Sequence, residues 1–557
     1  NTAGESWRRP PAPAPPPPSP PQHKDPPVNP PPPAVVGTAP AGANAPVSPD
    51  VVVHDPRRKR LILAAMCTAL MGVVASVSGL NVAQQDLARE FGASQGAILW
   101  MINGYTVALA SLLMPFGAIG DRWGRKPVLV SGLGLFFLSS VGAALAPSIA
   151  FMIAARVVAG IGASMIMPVT LSVITSTFPE EERAQAIGIW AGVAGSGGLR
   201  GLFVSSFMVD MVNWRWLFVL PAALAVVSLW LTSRAVPNSR EHFEHPFDIA
   251  GSVLSFFAIG GLVLGIHEGP ENGWGSPLTV AGLGVGLACL VAFIMWERRH
   301  ADPLLDVSVF RNHGLSSGAL TLMLLFGVMF GIFLVLFPFL QAVLGYSALK
   351  SAVSMLPMAV VMMPMSALAP QIAQRFGSRR TMLIGTGVGA TGLAVLALRA
   401  SVEGGYWSIL PGLVIMGAGN GLAMTPSTEA ITASLPIDKQ GVASALNDTS
   451  REIGGAVGVA LLGSILSSGY RSAIEPSLAG LPKPMAEAAA EGIGNAFGVA
   501  QKAGPAGPKI ISAAQHAFVD GWTGAMWVGV AMMGIAFLYL LLAGPRGTSD
   551  EVALHVE

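Results

Sequence analysis

One short run, Gly117 to Leu129 (GAIGDRWGRKPVL), sets four charged groups at the spacing that ion-pair exchange needs. Asp121, Arg122, Arg125 and Lys126 bring both signs together, and Gly117 and Gly124 let backbone approach closely on either side. Such a set can cap a helix end and trade salt bridges, which makes it a candidate gating loop for a conformational change. A second set lies far downstream. Asp448 and Arg451 are spaced i, i+3 and Asp448 and Glu452 i, i+4, so the three share one helix face. Two carboxylates beside one guanidinium either hold an exchangeable proton or close a gate as a salt bridge. Glu429, also inside an apolar run, joins them as a proton-coupling or inner-gate candidate.

Two further cations, Arg156 and Arg200, interrupt apolar runs in the first half of the chain. With Ser76, Asn81 and Asn103 they are candidates for lining a polar substrate cavity. They either attract an anionic group of a substrate or bond backbone carbonyls, Asn103 or water, or snorkel outward. No phosphate-binding loop and no nucleophile–base set accompanies these residues, so no enzyme chemistry is indicated. The nine histidines are scattered and the two cysteines, Cys67 and Cys289, lie in apolar runs, which points to no metal site, no disulfide and no cofactor. A net charge of +1 gives no reason to expect a nucleic-acid partner.

The elements that must position these groups are membrane spans. The chain is 52% hydrophobic and 11% charged over 557 residues, with mean hydropathy +0.59, which no ordinary soluble protein shows. A helix rising about 1.5 Å per residue needs roughly 20 apolar residues to cross about 30 Å of hydrocarbon. About fourteen runs meet that length. Six lie near 61–80, 97–119, 127–146, 148–172, 184–209 and 215–235. Two follow near 248–266 and 277–296, and six more near 314–340, 351–372, 381–399, 407–434, 442–467 and 520–543. The sequence therefore predicts an all-α polytopic membrane protein of two six-helix bundles with an inserted pair.

The domain boundaries follow. Residues 1–56 are a proline-rich tail (PPAPAPPPPSPP, PPVNPPPPA) that forms neither helix interior nor ladder and is expected to be disordered. Residues 57–236 are the N-terminal bundle, 237–300 a linker with the inserted pair, 301–545 the C-terminal bundle with a long outer loop at 469–519, and 546–557 a tail. The first long apolar run is full length and follows Arg57–Arg60, the pattern of a span rather than of a cleaved signal. With those arginines inside, alternation also puts Arg122, Arg125, Lys126, Arg183, Arg234, Arg298, Arg375 and Lys439 inside, while the short outer loops carry only Arg89, Arg215, Lys350 and Arg399. Both termini are thus expected in the cytoplasm. A weak internal repeat supports two halves, since APQIAQRFGSRRTML at Ala369–Leu383 follows the second span of the last group as FGAIGDRWGRKPVL follows that of the first. Such repeats place a substrate site between the halves near the bilayer midplane.

The run at 117–129 resembles the loop between helices 2 and 3 of the major facilitator superfamily. AARVVAGIGASMIMP, Ala154 to Pro168, is similar to that superfamily's helix 4 motif, with Arg156 as its arginine. Gly188 to Phe218 and Gly441 to Leu466 resemble helix 5 and helix 13 of the fourteen-helix drug–proton antiporter family. That resemblance implies the major facilitator fold and export of varied, often amphipathic small molecules against protons, across a bacterial inner membrane. The expected partners are a small-molecule substrate, protons and lipid, and the chain is expected to be a monomer. Two positions depart from the pattern. Ser76 stands where helix 1 of the family commonly has its proton-binding aspartate, and the helix 5 pattern GPxxGG falls on Gly201, Leu202, Phe203, Val204, Ser205 and Ser206. Small residues at Gly192, Gly197, Gly201 and Ser205 still suit a close helix crossing. A uniporter or uptake symporter of the same fold, and a sensor or scaffold that no longer transports, are the alternatives.

Overall fold

The computed structural model describes residues 52–91, 95–239, 247–300, 302–479 and 481–545, apart from certain side chains within its helices. Among the described residues fourteen helices are long and apolar enough to cross a membrane. The first group is α1 (Pro56–Phe91), α2 (Gln95–Trp123), α3 (Arg125–Ala144), α4 (Ile149–Thr177), α5 (Glu180–Met211) and α6 (Val219–Ala235). The inserted pair is α7 (Ile249–Asn272) and α8 (Pro277–Glu297). The second group is α9 (His313–Pro338), α10 (Ala348–Phe376), α11 (Ser378–Arg399), α12 (Gly405–Ala433) and α13 (Gln440–Ile474). It is completed, after the short helices α14 (Lys483–Glu491) and α15 (Ile493–Lys502), by α16 (Gly507–Ala543).

Local chemistry sets where these helices begin. The side chains of Ser148, Asp248, Ser276, Asn312 and Ser347 accept backbone N–H bonds at the starts of α4, α7, α8, α9 and α10. Two turns need glycine. Gly124 between α2 and α3 has φ 113°, and Gly377 between α10 and α11 has φ 87°, backbone that only glycine adopts without strain. They stand at equivalent places in the repeat.

The packing repeats as well. In the first group α2 and α3 pack on α4, α1 on α5, and α3 on α6; in the second, α10 and α11 pack on α12, α9 on α13, and α11 on α16. The groups meet through α2 and α4 against α13, and α5 against α10 and α12. Helix α7 leans on both α2 and α13, so the inserted pair covers one seam between the halves. Outward faces carry exposed apolar groups such as Leu138, Trp230, Val360 and Leu542, as a surface bathed in lipid requires.

Several boundaries differ from the sequence expectation. Of the segment 1–56, only 52–56 is described, and there Val53 is buried and its N–H donates to the Thr177 carbonyl at 2.9 Å. The tail 546–557 lies outside the described residues. The seventh span, expected near 248–266, is helical as far as Asn272, with Pro270 inside the helix. Within 469–519, α13 runs on to Ile474 and α16 starts at Gly507, so the connection is mostly helix. Inside the segment expected as a loop lie two helices, α14 and α15, broken at Gly492. They fold onto their own half: Ala489, Ala496 and Val499 share a core with Ile510 and Ala514 of α16, and the Tyr470 hydroxyl donates to the Ala489 carbonyl at 3.0 Å.

Candidate functional site

The end of the bundle that bears Arg57, the α2–α3 turn and Lys439 is termed here the basic end. There α2 and α13 touch backbone to backbone: a Cβ on Gly117 would lie 2.5 Å from the Gly441 carbonyl oxygen and 2.9 Å from the Ala445 Cβ. One turn further along α2, Asp121 is 1% exposed. Its carboxylate accepts from the Gly441 N–H at 2.7 and 2.8 Å and from the Val442 N–H at 3.3 Å. These are unpaired donors of the α13 N-terminus, where the helix dipole favours negative charge. Arg125, fully buried, donates to the same carboxylate from Nη2 at 2.9 Å and Nε at 3.2 Å, and reaches the Ile437 carbonyl at 3.4 Å. Asp121 thus ties the two halves, and Arg125 neutralises it.

The neighbouring charges do different work. Arg122 and Lys439 each lie 3.6 Å from the Asp302 carboxylate, which joins the first half, the segment after α8 and the second half. Lys126 turns away and donates to the Ser233 carbonyl near the end of α6 at 3.1 Å. The α5–α10 contact also begins near this end: the Ser366 hydroxyl donates to the Gly188 carbonyl at 3.0 Å, and Gly192 faces Met363 at 3.3 Å from its would-be Cβ. Met355, Met358 and Met362 of α10 are packed core groups.

About two turns and a half into α13 lies the acid cluster. Asp448 is fully buried; its Oδ1 accepts from Arg451 Nη1 at 3.1 Å and from Asn447 Nδ2 at 3.1 Å, while its Oδ2 has no hydrogen-bond partner. The Arg451 guanidinium sits 4.3 Å over the Phe326 ring and 5.5 Å from the ring of Trp190, which belongs to the other half. Glu452 interacts coulombically with Arg451 and Asp448, and also with Tyr105 of α2 across the seam. The spacing argument therefore holds for all three residues. Glu429 on α12 is apart from them and interacts instead with Arg183 of α5.

In the first half Arg156 is 1% exposed, about 10 Å along α4 from its start at Ile149. Its Nη1 donates to the Ser76 hydroxyl at 2.7 Å and its guanidinium lies 4.2 Å over the Tyr105 ring. The sequence left Arg156 either to attract an anionic group of a substrate or to bond backbone carbonyls, Asn103 or water, or to snorkel outward; within the chain the structure gives it Ser76 and Tyr105. Asn103 is buried with its Nδ2 unbonded and is not joined to Arg156. The side chains of Asn81 and Arg200 lie outside the described residues. Of the packing set, Gly197 and Gly201 press on α1, a Cβ on Gly201 lying 2.7 Å from the Ala75 Cα, whereas Gly192 faces α10; Ser205 is buried. Sequence reading did not find Gly441, Val442, Tyr105 or Asp302.

Comparison with known proteins agrees with this architecture. The Major Facilitator Superfamily model matches residues 61–459. The chain belongs to that superfamily. It is 29% identical over 492 residues to the multidrug resistance protein Stp of Mycobacterium tuberculosis, spanning 86% of this chain and 91% of Stp. It is 32% identical over 494 residues to the multidrug efflux pump LfrA of Mycolicibacterium smegmatis, spanning 87% of this chain and 97% of LfrA. Among solved structures, a bacterial homologue of the human lysosomal transporter Spinster, in an inward-facing and unoccupied conformation, superposes with TM-score 0.55 at 19% identity, covering 88% of this chain and 98% of that one. The all-α fold of this superfamily member, with its fourteen span-length helices, is thus established from both sequence and structure.

Proposed function

We propose that this superfamily member is a proton-driven exporter of small molecules in a bacterial plasma membrane, working as a monomer with its basic end in the cytoplasm. The observation that carries the reading is that one helix, α13, bears both the latch and the acids. Its first N–H groups are held by Asp121 of the opposite half, and Asp448, Arg451 and Glu452 lie on it about 12–18 Å deeper, at the seam. Protonation of a carboxylate in that cluster changes the charge that Arg451 must balance, and so biases the position of the helix that the latch holds. The latch closed at the basic end corresponds to a carrier open toward the outside, and its release to one open toward the cytoplasm. Near the same end Glu429 of α12 and Arg183 of α5 attract one another electrostatically across the halves. The names of Stp and LfrA, a multidrug resistance protein and a multidrug efflux pump, support export and varied substrates. The α13 cluster supports proton coupling even though Ser76 stands at the helix 1 position where the family commonly has its aspartate.

The test is a panel of cationic, neutral and anionic dyes in proteoliposomes, with and without an imposed pH gradient. Uphill export that needs the gradient and fails in Asp448→Asn and Glu452→Gln is the expected result. Gradient-independent equilibration would make the carrier a uniporter. Unimpaired uphill export by both variants would move the proton site away from α13.

A further inference from the structure

Arginines are costly inside a bilayer unless an acid or a polar cavity compensates them. Two of the buried ones are compensated: Arg125 by Asp121 at 2.9 Å and Arg451 by Asp448 at 3.1 Å. Arg156 differs. Its only hydrogen bond among the described residues goes to a neutral hydroxyl, Ser76 Oγ at 2.7 Å, and its buried Nε has no hydrogen-bond partner. The face of the Tyr105 ring, 4.2 Å away, adds a cation–π contact, and the Tyr105 hydroxyl is turned to the Val73 carbonyl at 3.4 Å. Neither contact supplies a negative charge. A guanidinium keeps its proton even when buried, so the site cannot relieve the imbalance by deprotonating. What it offers is a fixed planar donor with an unused N–H, framed by a hydroxyl and an aromatic face.

The position of the patch adds a second argument. Ser76, Tyr105 and Arg156 come from α1, α2 and α4, and α2 and α4 both pack on α13 of the opposite half, so the patch adjoins the seam where a rocking motion opens a path. Among the described residues, the carboxylates of Asp448 and Glu452 on α13 lie with Arg451 rather than with Arg156.

We propose that Ser76, Tyr105 and Arg156 form a receptor for an anionic group, a carboxylate, sulfonate or phosphate, on the molecule being carried. The planar guanidinium receives two oxygens of that group through Nε and an Nη, the Ser76 hydroxyl turns from accepting to donating, and the Tyr105 ring covers the guanidinium face. This inference rests on the export reading and names the substrate class for it. It also predicts a charge switch at Ser76. An aspartate there stands where the Oγ now meets Nη1, fills the guanidinium with a resident carboxylate, and excludes the anion while leaving cations unopposed.

The experiment uses the full chain in proteoliposomes, with carboxyfluorescein as the anionic probe and ethidium as the cationic one. Wild type is expected to carry carboxyfluorescein. Arg156→Gln is expected to lower the ratio of carboxyfluorescein to ethidium kcat/KM at least tenfold, and Arg156→Lys to restore part of that ratio. Ser76→Asp is expected to abolish carboxyfluorescein transport and raise ethidium transport. Should Arg156→Gln fail to fold, Ser76→Asp still decides, because it adds the missing counter-charge rather than removing a buried group. Wild type that carries ethidium but not carboxyfluorescein overturns the receptor and leaves export standing. Equal loss of both probes in Arg156→Gln, or unchanged carboxyfluorescein transport in Ser76→Asp, also overturns it. Wild type that moves no probe of any charge overturns the export reading instead.

Discussion

The two turns at the basic end, one in each half, occupy equivalent places in the repeat and differ in a single working part. Gly124 and Gly377 shape both with positive φ, and each turn is followed by a cation that reaches the last helix of its own half. Lys126 donates to the Ser233 carbonyl of α6, and Arg379 donates to the Leu540 and Leu541 carbonyls of α16 at 3.0 and 2.6 Å. That part is structural and duplicated, a cation bonded to a helix C-terminus. The other part is not. Asp121 reaches across to α13, whereas its counterpart in the repeat, Gln374, is exposed. The structure keeps the scaffold twice and the latch once, so the halves are joined at this end by an asymmetric clasp on a symmetric frame.

The comparison breaks most severely at Asp121. Asp121→Ala leaves Arg125 buried without its acid and two α13 N–H groups unsatisfied, a loss of about 3–5 kcal/mol in the latched state. A shift of that size moves a two-state population by at least about a hundredfold. Distances measured by electron spin resonance between labels on the exposed Trp123 and Phe376 should lengthen, and export should fall at least tenfold, while the corresponding Gln374→Ala variant shows neither change. An unaltered distance distribution in Asp121→Ala would mean that the clasp does not hold the halves.

A steric version of the same break leaves the charges untouched. Gly117→Val sets a Cβ 2.5 Å from the Gly441 carbonyl oxygen, closer than any real contact, so α2 and α13 must separate. Overpacking of this kind costs about 1–3 kcal/mol, and the same labels should report a shift in the same direction but smaller than in Asp121→Ala. Gly117→Ala in an otherwise identical sample should fall between wild type and valine.

What the sequence disclosed and what it hid divide along the same line. Span count, the two halves and the glycine turns were legible because each depends on local composition and period over twenty or so residues. The clustering of Asp448, Arg451 and Glu452 was legible for the same reason, as it follows from helical spacing alone. Asp121 stood out as an acid in a glycine-flanked basic turn, but its partner did not: the Gly441 and Val442 N–H groups are main-chain donors, and a donor that every residue carries leaves no mark in sequence. The Arg156–Ser76 pairing was hidden differently. It joins residues 80 apart through the packing of α1 on α4, and although both were candidates for one polar cavity, no spacing or motif ties one to the other.

The duplicated part of the comparison can be sharpened with Arg379→Ala and Lys126→Ala. Hydrogen bonds from a charged donor are worth about 1.5–3 kcal/mol when shielded and less where solvent reaches them. The Arg379 pair is the more sheltered, because its Nε bond to the Leu540 carbonyl is half-buried, while the Lys126 bond is exposed. Thermal unfolding in detergent should therefore fall by a few degrees for Arg379→Ala and by less for Lys126→Ala, with export within about twofold of wild type in both. A large transport defect in either would assign the duplicated cation to the clasp.

The smallest effect is expected at the far rim, where the first half has an ion pair with no counterpart role in gating. Glu90, beyond the apolar part of α1, accepts from the Trp214 indole N–H and pairs with Arg215 at 2.8 Å, pinning the end of α1 to the turn that leads into α6. The indole hydrogen bond first, and Arg215 after it, hold this carboxyl below the ordinary glutamate range against the small opposing cost of burial. A carboxyl whose folded value is depressed stabilises the protein fully above its unfolded value, and the contribution disappears as pH falls through the folded value. The pair is exposed and open to screening, so its worth is below about 1 kcal/mol. Glu90→Gln should lower the unfolding temperature by no more than about 2 °C at neutral pH, and the gap to wild type should close as pH is taken down through the acid range. Raising salt should narrow the same gap at neutral pH, because the Arg215 component is screened while the indole hydrogen bond is not. A gap that widens toward acid, or a loss of export at neutral pH, would make this rim contact part of the moving machinery and end its separation from the clasp at the opposite end.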